Sequence, residues 1–152
     1  MAKVVKEDQD LEMTEQQSRS DTAEINAENQ YCKLTVMAIG VHVEFVKQEI
    51  KYGKTTKDFD PPYIKSGCKG SGEWRGGWGT PSGTEGDLYF TVNDGTDHFK
   101  FSFDSPYTGK NMSDLVTSDM KSGEFDVSFI EQGNTSRSGP LGTVVIAVQR
   151  KN

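Results

Sequence analysis

Imidazole and thiol chemistry in this chain rests on four side chains: His42, His98, Cys32 and Cys68. A hydrolytic triad needs a nucleophile, a base and a group that orients the base. Both histidines fall in alternating segments at polar positions, where an exposed strand histidine is the simpler explanation. Cys68 stands beside Lys69, and a neighbouring cation lowers a thiol pKa. Reactivity also requires access and a base, so an inert thiol is the plainer reading, and whether Cys32 and Cys68 pair is left open. Asp94, Asp97 and Asp104 offer carboxylates for calcium, but Asn93-Asp94-Gly95 is accounted for as a turn. The glycines of residues 67–86 lack a Gly-Lys-Ser/Thr ending and a following helix, so they do not form a phosphate loop. No pair among the 23 acids is singled out for glycoside cleavage. Catalysis is not expected, and neither a cofactor nor a bound metal is.

The informative chemistry is aromatic. Tyr31, Tyr52, Trp74, Trp78 and Tyr107 lie near strand ends or in loops, outside the phenylalanine rows. Tyr52 is followed by Gly53-Lys54, and Tyr107 by Thr108-Gly109-Lys110. An amphipathic ring beside a turn and a cation suits the water–lipid boundary, with the ring body in the headgroup layer and the polar tip wet. The same rings suit a sugar face, and they would equally serve to close the ends of a sandwich.

The elements that must hold these rings have a period of two. Leu88, Phe90 and Val92 alternate with polar neighbours, Asn93-Asp94-Gly95 supplies turn chemistry, and Phe99, Phe101 and Phe103 resume the alternation. This is a hairpin with one apolar and one wet face. Phe125, Val127 and Phe129 repeat the pattern, and Leu141–Val148 reads as a strand covered on both faces. Leu34 and Val36 alternate in one phase and Val41, Val43 and Phe45 in the other, so the chain bends near Gly40. Residues 67–86, with eight glycines in twenty, read as a loop. The expected fold is all-β: an antiparallel two-sheet β-sandwich over residues 30–152, with a polar N-terminal extension over residues 1–29.

Residues 1–29 hold no glycine, proline or aromatic residue and carry a net charge of −5, leaving −1 for the remainder. Such a segment buries too little apolar surface to offset its ordering entropy, and a mobile or weakly helical arm is expected. The whole chain is acidic, at −6 with a pI near 4.9. That argues against a nucleic-acid partner and against adsorption to anionic lipid by bulk charge. Val144–Val148 is the longest aliphatic run, far short of the ~20 residues of a spanning helix. The N-terminus has no apolar stretch long enough for a secretory signal, so cytoplasmic synthesis without a classical signal peptide is expected.

Five stretches, in order across residues 30–148, resemble the aegerolysin family. Gln30-Tyr31, Gly40 and Lys51-Tyr52-Gly53-Lys54 resemble its opening, with tyrosine where the family has tryptophan. Ser66-Gly67-Cys68-Lys69 is similar to its Ala-Cys-Gly segment, and Ser82–Phe90 to its Gly-Thr-Glu-Gly strand. Phe103–Asn111 resembles its aromatic-Asp-x-Pro-aromatic-x-Gly-x-Asn segment, and Ser138–Val144 its Leu-Gly-Thr ending. The pattern is nearest to bacterial members that form the small component of binary insecticidal toxins.

The resemblance implies a small acidic β-sandwich that binds membrane lipids, such as sphingomyelin with cholesterol or ceramide phosphoethanolamine, beside a larger pore-forming partner. The expected function is the lipid-binding part of a two-component toxin acting outside the producing cell, on a sphingolipid-like headgroup or a cell-surface receptor. Its expected contact residues are Tyr31, Tyr52, Lys54, Trp74, Trp78, Asp104, Tyr107 and Lys110. The rival is a carbohydrate-binding module stacking sugars on Trp74, Trp78 and Tyr107. A third reading is a sandwich that self-associates into homo-oligomers through its edge strands.

Overall fold

The computed structural model describes residues 30–77, 83–136 and 138–151. Among these residues, ten strands account for the regular structure: β1 (Tyr31–Ile39), β2 (Val43–Tyr52), β3 (Lys54–Asp60), β4 (Tyr63–Ile64), β5 (Lys69–Arg75), β6 (Thr84–Val92), β7 (Asp97–Ser105), β8 (Met112–Val116), β9 (Phe125–Glu131) and β10 (Gly142–Arg150). They form two five-stranded sheets, ordered β3-β5-β1-β10-β9 and β4-β2-β6-β7-β8. The expected two-sheet sandwich is the observed fold. All strand pairs are antiparallel except β1 with β10, which lie parallel in the middle of the first sheet.

The alternation dictates which side chains meet between the sheets. Cys32, Leu34, Val36 and Ala38 face inward from β1, and Leu88, Phe90 and Val92 from β6. From β7 come Phe99, Phe101 and Phe103, with Phe90 stacked on Phe99 at 4.9 Å between ring centroids. The β6–β7 turn follows the sequence reading: Asn93, Asp94 and Gly95 all adopt positive φ, and the register pairs Val92 with Asp97. At Gly40, with φ +69°, the chain leaves the first sheet and enters the second, which explains the change of phase. Ile146 and Val148 of β10 are buried on one face and Ala147 on the other.

The glycine-rich stretch is a correction. Residues 69–75 form strand β5, and the inward positions of its alternation are Gly70, Gly72 and Trp74. The two glycines make room for large neighbours: a Cβ on Gly70 would meet the Phe59 ring at 2.9 Å, and one on Gly72 the Trp74 ring at 2.8 Å. Trp74 is fully buried, lies 5.6 Å from Phe103 across the sandwich and donates its indole N–H to Gln48 Oε1 at 3.1 Å.

Candidate functional site

One end of the sandwich gathers most of the expected contact residues. The path from β2 to β3 changes sheets at Gly53, whose φ is +89° and whose missing Cβ would overlap the Arg75 carbonyl and the Thr84 side chain. Only glycine fits this close approach. Gly53→Ala is expected to cost about 1–3 kcal/mol, read as a lower melting temperature, and to loosen the end that carries Tyr52.

Beside that corner lies a cavity of about 290 Å³ lined by Tyr52, Gly83, Thr84, Glu85, Asp104, Pro106, Tyr107 and Thr108. The ladder explains the grouping: Tyr52 pairs with Glu85, and Glu85 with Asp104, so the three stand in one cross-strand row on the outer face of the second sheet. Tyr52 is 57% exposed and Tyr107 half-buried, so two phenol rings border a site with two carboxylates. Thr84 is buried, and its Oγ1 has no hydrogen-bond partner among the described residues. That oxygen has no accessible surface and lies against Gly53, so it belongs to the tight packing of the corner and not to the open face of the cavity.

A buried polar knot holds the wall. Ser105 Oγ accepts the Leu141 N–H at 3.1 Å, and the Gln30 amide, in the orientation that satisfies both of its ends, donates to the Gly139 carbonyl at 2.6 Å and the Pro106 carbonyl at 3.2 Å. These bonds tie the Ser105–Tyr107 segment to the start of β1 and the loop before β10. Gln30, Thr84 and Ser105 were not singled out by their residue types, because their roles depend on burial.

Partial burial first, and the nearby Glu85 charge second, raise the Asp104 carboxyl above the ordinary aspartate value, while Lys51 pulls the other way. The folded state therefore holds this proton more tightly than the unfolded chain. Its contribution favours folding at low pH and is lost as pH rises from the ordinary value through the raised one. Asp104→Asn is expected to remove that part of the fall in melting temperature as pH rises above the ordinary aspartate range. Attraction for a bound cation runs oppositely, weakening as Asp104 takes up its proton.

The remaining expected residues divide. Lys54 and Lys110 are exposed and flank the cavity in sequence without lining it. Tyr31 is at the same end but on the outer face of the first sheet, where the Arg75 guanidinium lies 4.7 Å over its ring; the register runs Tyr31–Arg75–Lys54. Trp74 is a correction: it is a core residue with no solvent-facing surface, and it serves neither a lipid nor a sugar. Trp78 lies outside the described residues.

The other chemistry considered is dispersed. Cys32 and Cys68 are both free, the first buried and the second exposed, and burial drives the Cys32 thiol far above its ordinary range. His42 sits between β1 and β2, with Nε2 2.9 Å from Asp94 Oδ1. Asp97 is buried and accepts the Ser122 N–H and hydroxyl at 3.0 and 2.6 Å. Asp94, Asp97 and Asp104 thus have separate surroundings, and no metal-binding group occurs among the described residues.

The fold has known counterparts. The Aegerolysin family model matches residues 25–151, and the chain belongs to that family. Among solved structures it is similar to IP-1A from Alcaligenes faecalis, at 24% identity and a TM-score of 0.69 over 87% of this chain and 99% of that one. It is also similar to the RahU protein, solved in complex with TRIS, at 18% identity and a TM-score of 0.67 over 83% and 98% of the two chains. A third is Nakanori, described as a lipid binding protein, at 12% identity and a TM-score of 0.53 over 82% and 72%. Comparison with curated proteins gave no match.

Proposed function

We propose that this aegerolysin binds the zwitterionic headgroup of a membrane sphingolipid and serves as the recognition component of a two-part pore-forming toxin. The observation that carries the reading is the cavity where Tyr52 and Tyr107 border Asp104 and Glu85. Aromatic faces and carboxylates together attract an ammonium group, by cation–π and by charge. Lys54 and Lys110, exposed on the chain segments next to Tyr52 and Tyr107, would supply cations for the neighbouring phosphate. Family membership and the likeness to a protein described as lipid binding support a lipid ligand.

Perforation is assigned to a partner. No helix among the described residues is long and apolar enough to cross a membrane, and the strands are committed to a filled sandwich core rather than to a lumen. The chain recognises and the larger protein inserts; no catalytic step is involved. The test is dye release from vesicles of ceramide phosphoethanolamine or sphingomyelin with cholesterol. The chain alone is expected to sediment with the vesicles while dye stays inside, and release is expected on adding a larger pore-forming partner protein. Strong release by the chain alone would contradict the division of labour.

A further inference from the structure

The outer face of the second sheet carries a second cavity that shares no residue with the first. It measures about 390 Å³ and lies over the β2, β6, β7 and β8 strands. Its principal row is set by the register: Lys47 pairs with Tyr89, Tyr89 with Lys100, and Lys100 with Val116. Val46, displaced by the irregularity between Phe45 and Lys47, closes one side. Phe90 and Phe99 turn their rings into the core, so the strands themselves form the floor. Val46 is 53% and Val116 39% exposed, leaving two aliphatic walls without cover.

The charges in this cavity are unevenly matched. The Lys47 ammonium lies 3.5 Å from Glu49 and 4.8 Å over the Tyr89 ring, and the Tyr89 hydroxyl donates to Glu49 at 2.8 Å. Asp87, one row away, accepts the Ser102 hydroxyl at 2.7 Å. Lys100, half-buried in the middle of the row, has no carboxylate within ion-pair distance among the described residues. His98 lies beside it, and Asp119 is the one acid in the lining. A cation without a counter-ion among the described residues, on a half-buried side chain between Tyr89 and Val116 in the row, is open to an anion.

We propose that this cavity binds a free amphiphilic carboxylate, its head on Lys100 and its aliphatic or aryl body across Val46, Tyr89 and Val116. The occupant comes from solution, because the site is recessed into a sheet face. Lys100 is four residues along β7 from Asp104, roughly 13 Å at ~3.3 Å per residue, which sets it back from the aromatic end that meets a headgroup. The row Glu49–Asp87–Ser102–Asp114 separates the two cavities and keeps an anion on the Lys100 side. The inference stands without the headgroup reading.

Titration of the whole chain with decanoate below its micelle concentration, followed by amide NMR shifts and calorimetry, tests the site. Shifts are expected around residues 89–91, 98–100 and 116. Lys100→Gln is expected to weaken binding about tenfold or more, as loss of a charge-assisted bond would, and Lys100→Arg to keep it within a few-fold. Tyr52→Ala should leave it unchanged. Equal binding of decyltrimethylammonium, or wild-type affinity in a folded Lys100→Gln, would overturn the proposal. So would Lys100-dependent sedimentation with phosphatidylglycerol vesicles in the absence of decanoate binding, which would place the occupant in a bilayer.

Discussion

Trp74→Ala is expected to be the most damaging single substitution in the described sandwich, costing about 3–5 kcal/mol. The indole is fully buried, packs on Phe103 from the opposite sheet and satisfies Gln48. Its removal opens a cavity between sheets and leaves the Gln48 carbonyl without its donor. Gly70 and Gly72, which gave way to Phe59 and the indole, have no side chains to fill the gap. For a domain of this size a fall of roughly 10–20 °C in melting temperature follows. Trp74→Phe keeps most of the volume and loses the hydrogen bond, so a smaller loss of about 1–2 kcal/mol is expected. Thermal or urea unfolding checks both, and a melting temperature unchanged in Trp74→Ala would contradict the placement of the indole in the core.

Tyr52→Ala combined with Tyr107→Ala is expected to reduce association with sphingolipid vesicles at least tenfold, since two aromatic walls of one cavity are lost together. Tyr52 is largely exposed, and its single replacement should change stability by no more than about 0.5 kcal/mol. Function and fold therefore separate at this position: affinity falls while the melting curve stays in place. Sedimentation against vesicle concentration, with thermal melts of the same samples, makes the comparison. Wild-type affinity in the folded double variant would remove the rings from the recognition surface.

The β6–β7 hairpin and strand β5 show where sequence reasoning works and where it stops. Strict alternation made the β6–β7 hairpin legible, because each second residue is large and apolar and the turn requires the positive φ that Asn93-Asp94-Gly95 accepts. The same period is present in Lys69–Arg75, but its inward members are Gly70, Gly72 and Trp74. Hydrophobic patterning is blind to glycine used as inward space, so the segment read as a loop and its tryptophan as a surface ring. The alternation of Ser71, Glu73 and Arg75 on the wet side was the signal that would have found the strand.

The site was legible in part for a related reason. Tyr52, Asp104 and Tyr107 stand in family-like segments and meet in one cavity, since Tyr52, Glu85 and Asp104 share a ladder row. Tyr31 belongs to the same end but turns to the outer face of the other sheet, a distinction set by strand phase and sheet order together. The orphaned Thr84 hydroxyl and the Gln30–Ser105 knot depend on burial across long sequence separations, which no local pattern encodes. The second cavity is invisible in the sequence because Lys47, Tyr89, Lys100 and Val116 come from four strands.

The most direct test of headgroup recognition is an amide NMR titration of the folded chain with soluble phosphoethanolamine and phosphocholine. Shifts concentrated at residues 52–54, 83–86 and 104–108, and abolished by Tyr52→Ala with Tyr107→Ala, are expected. Saturable binding that instead maps away from this end, or that survives the double substitution, would contradict it.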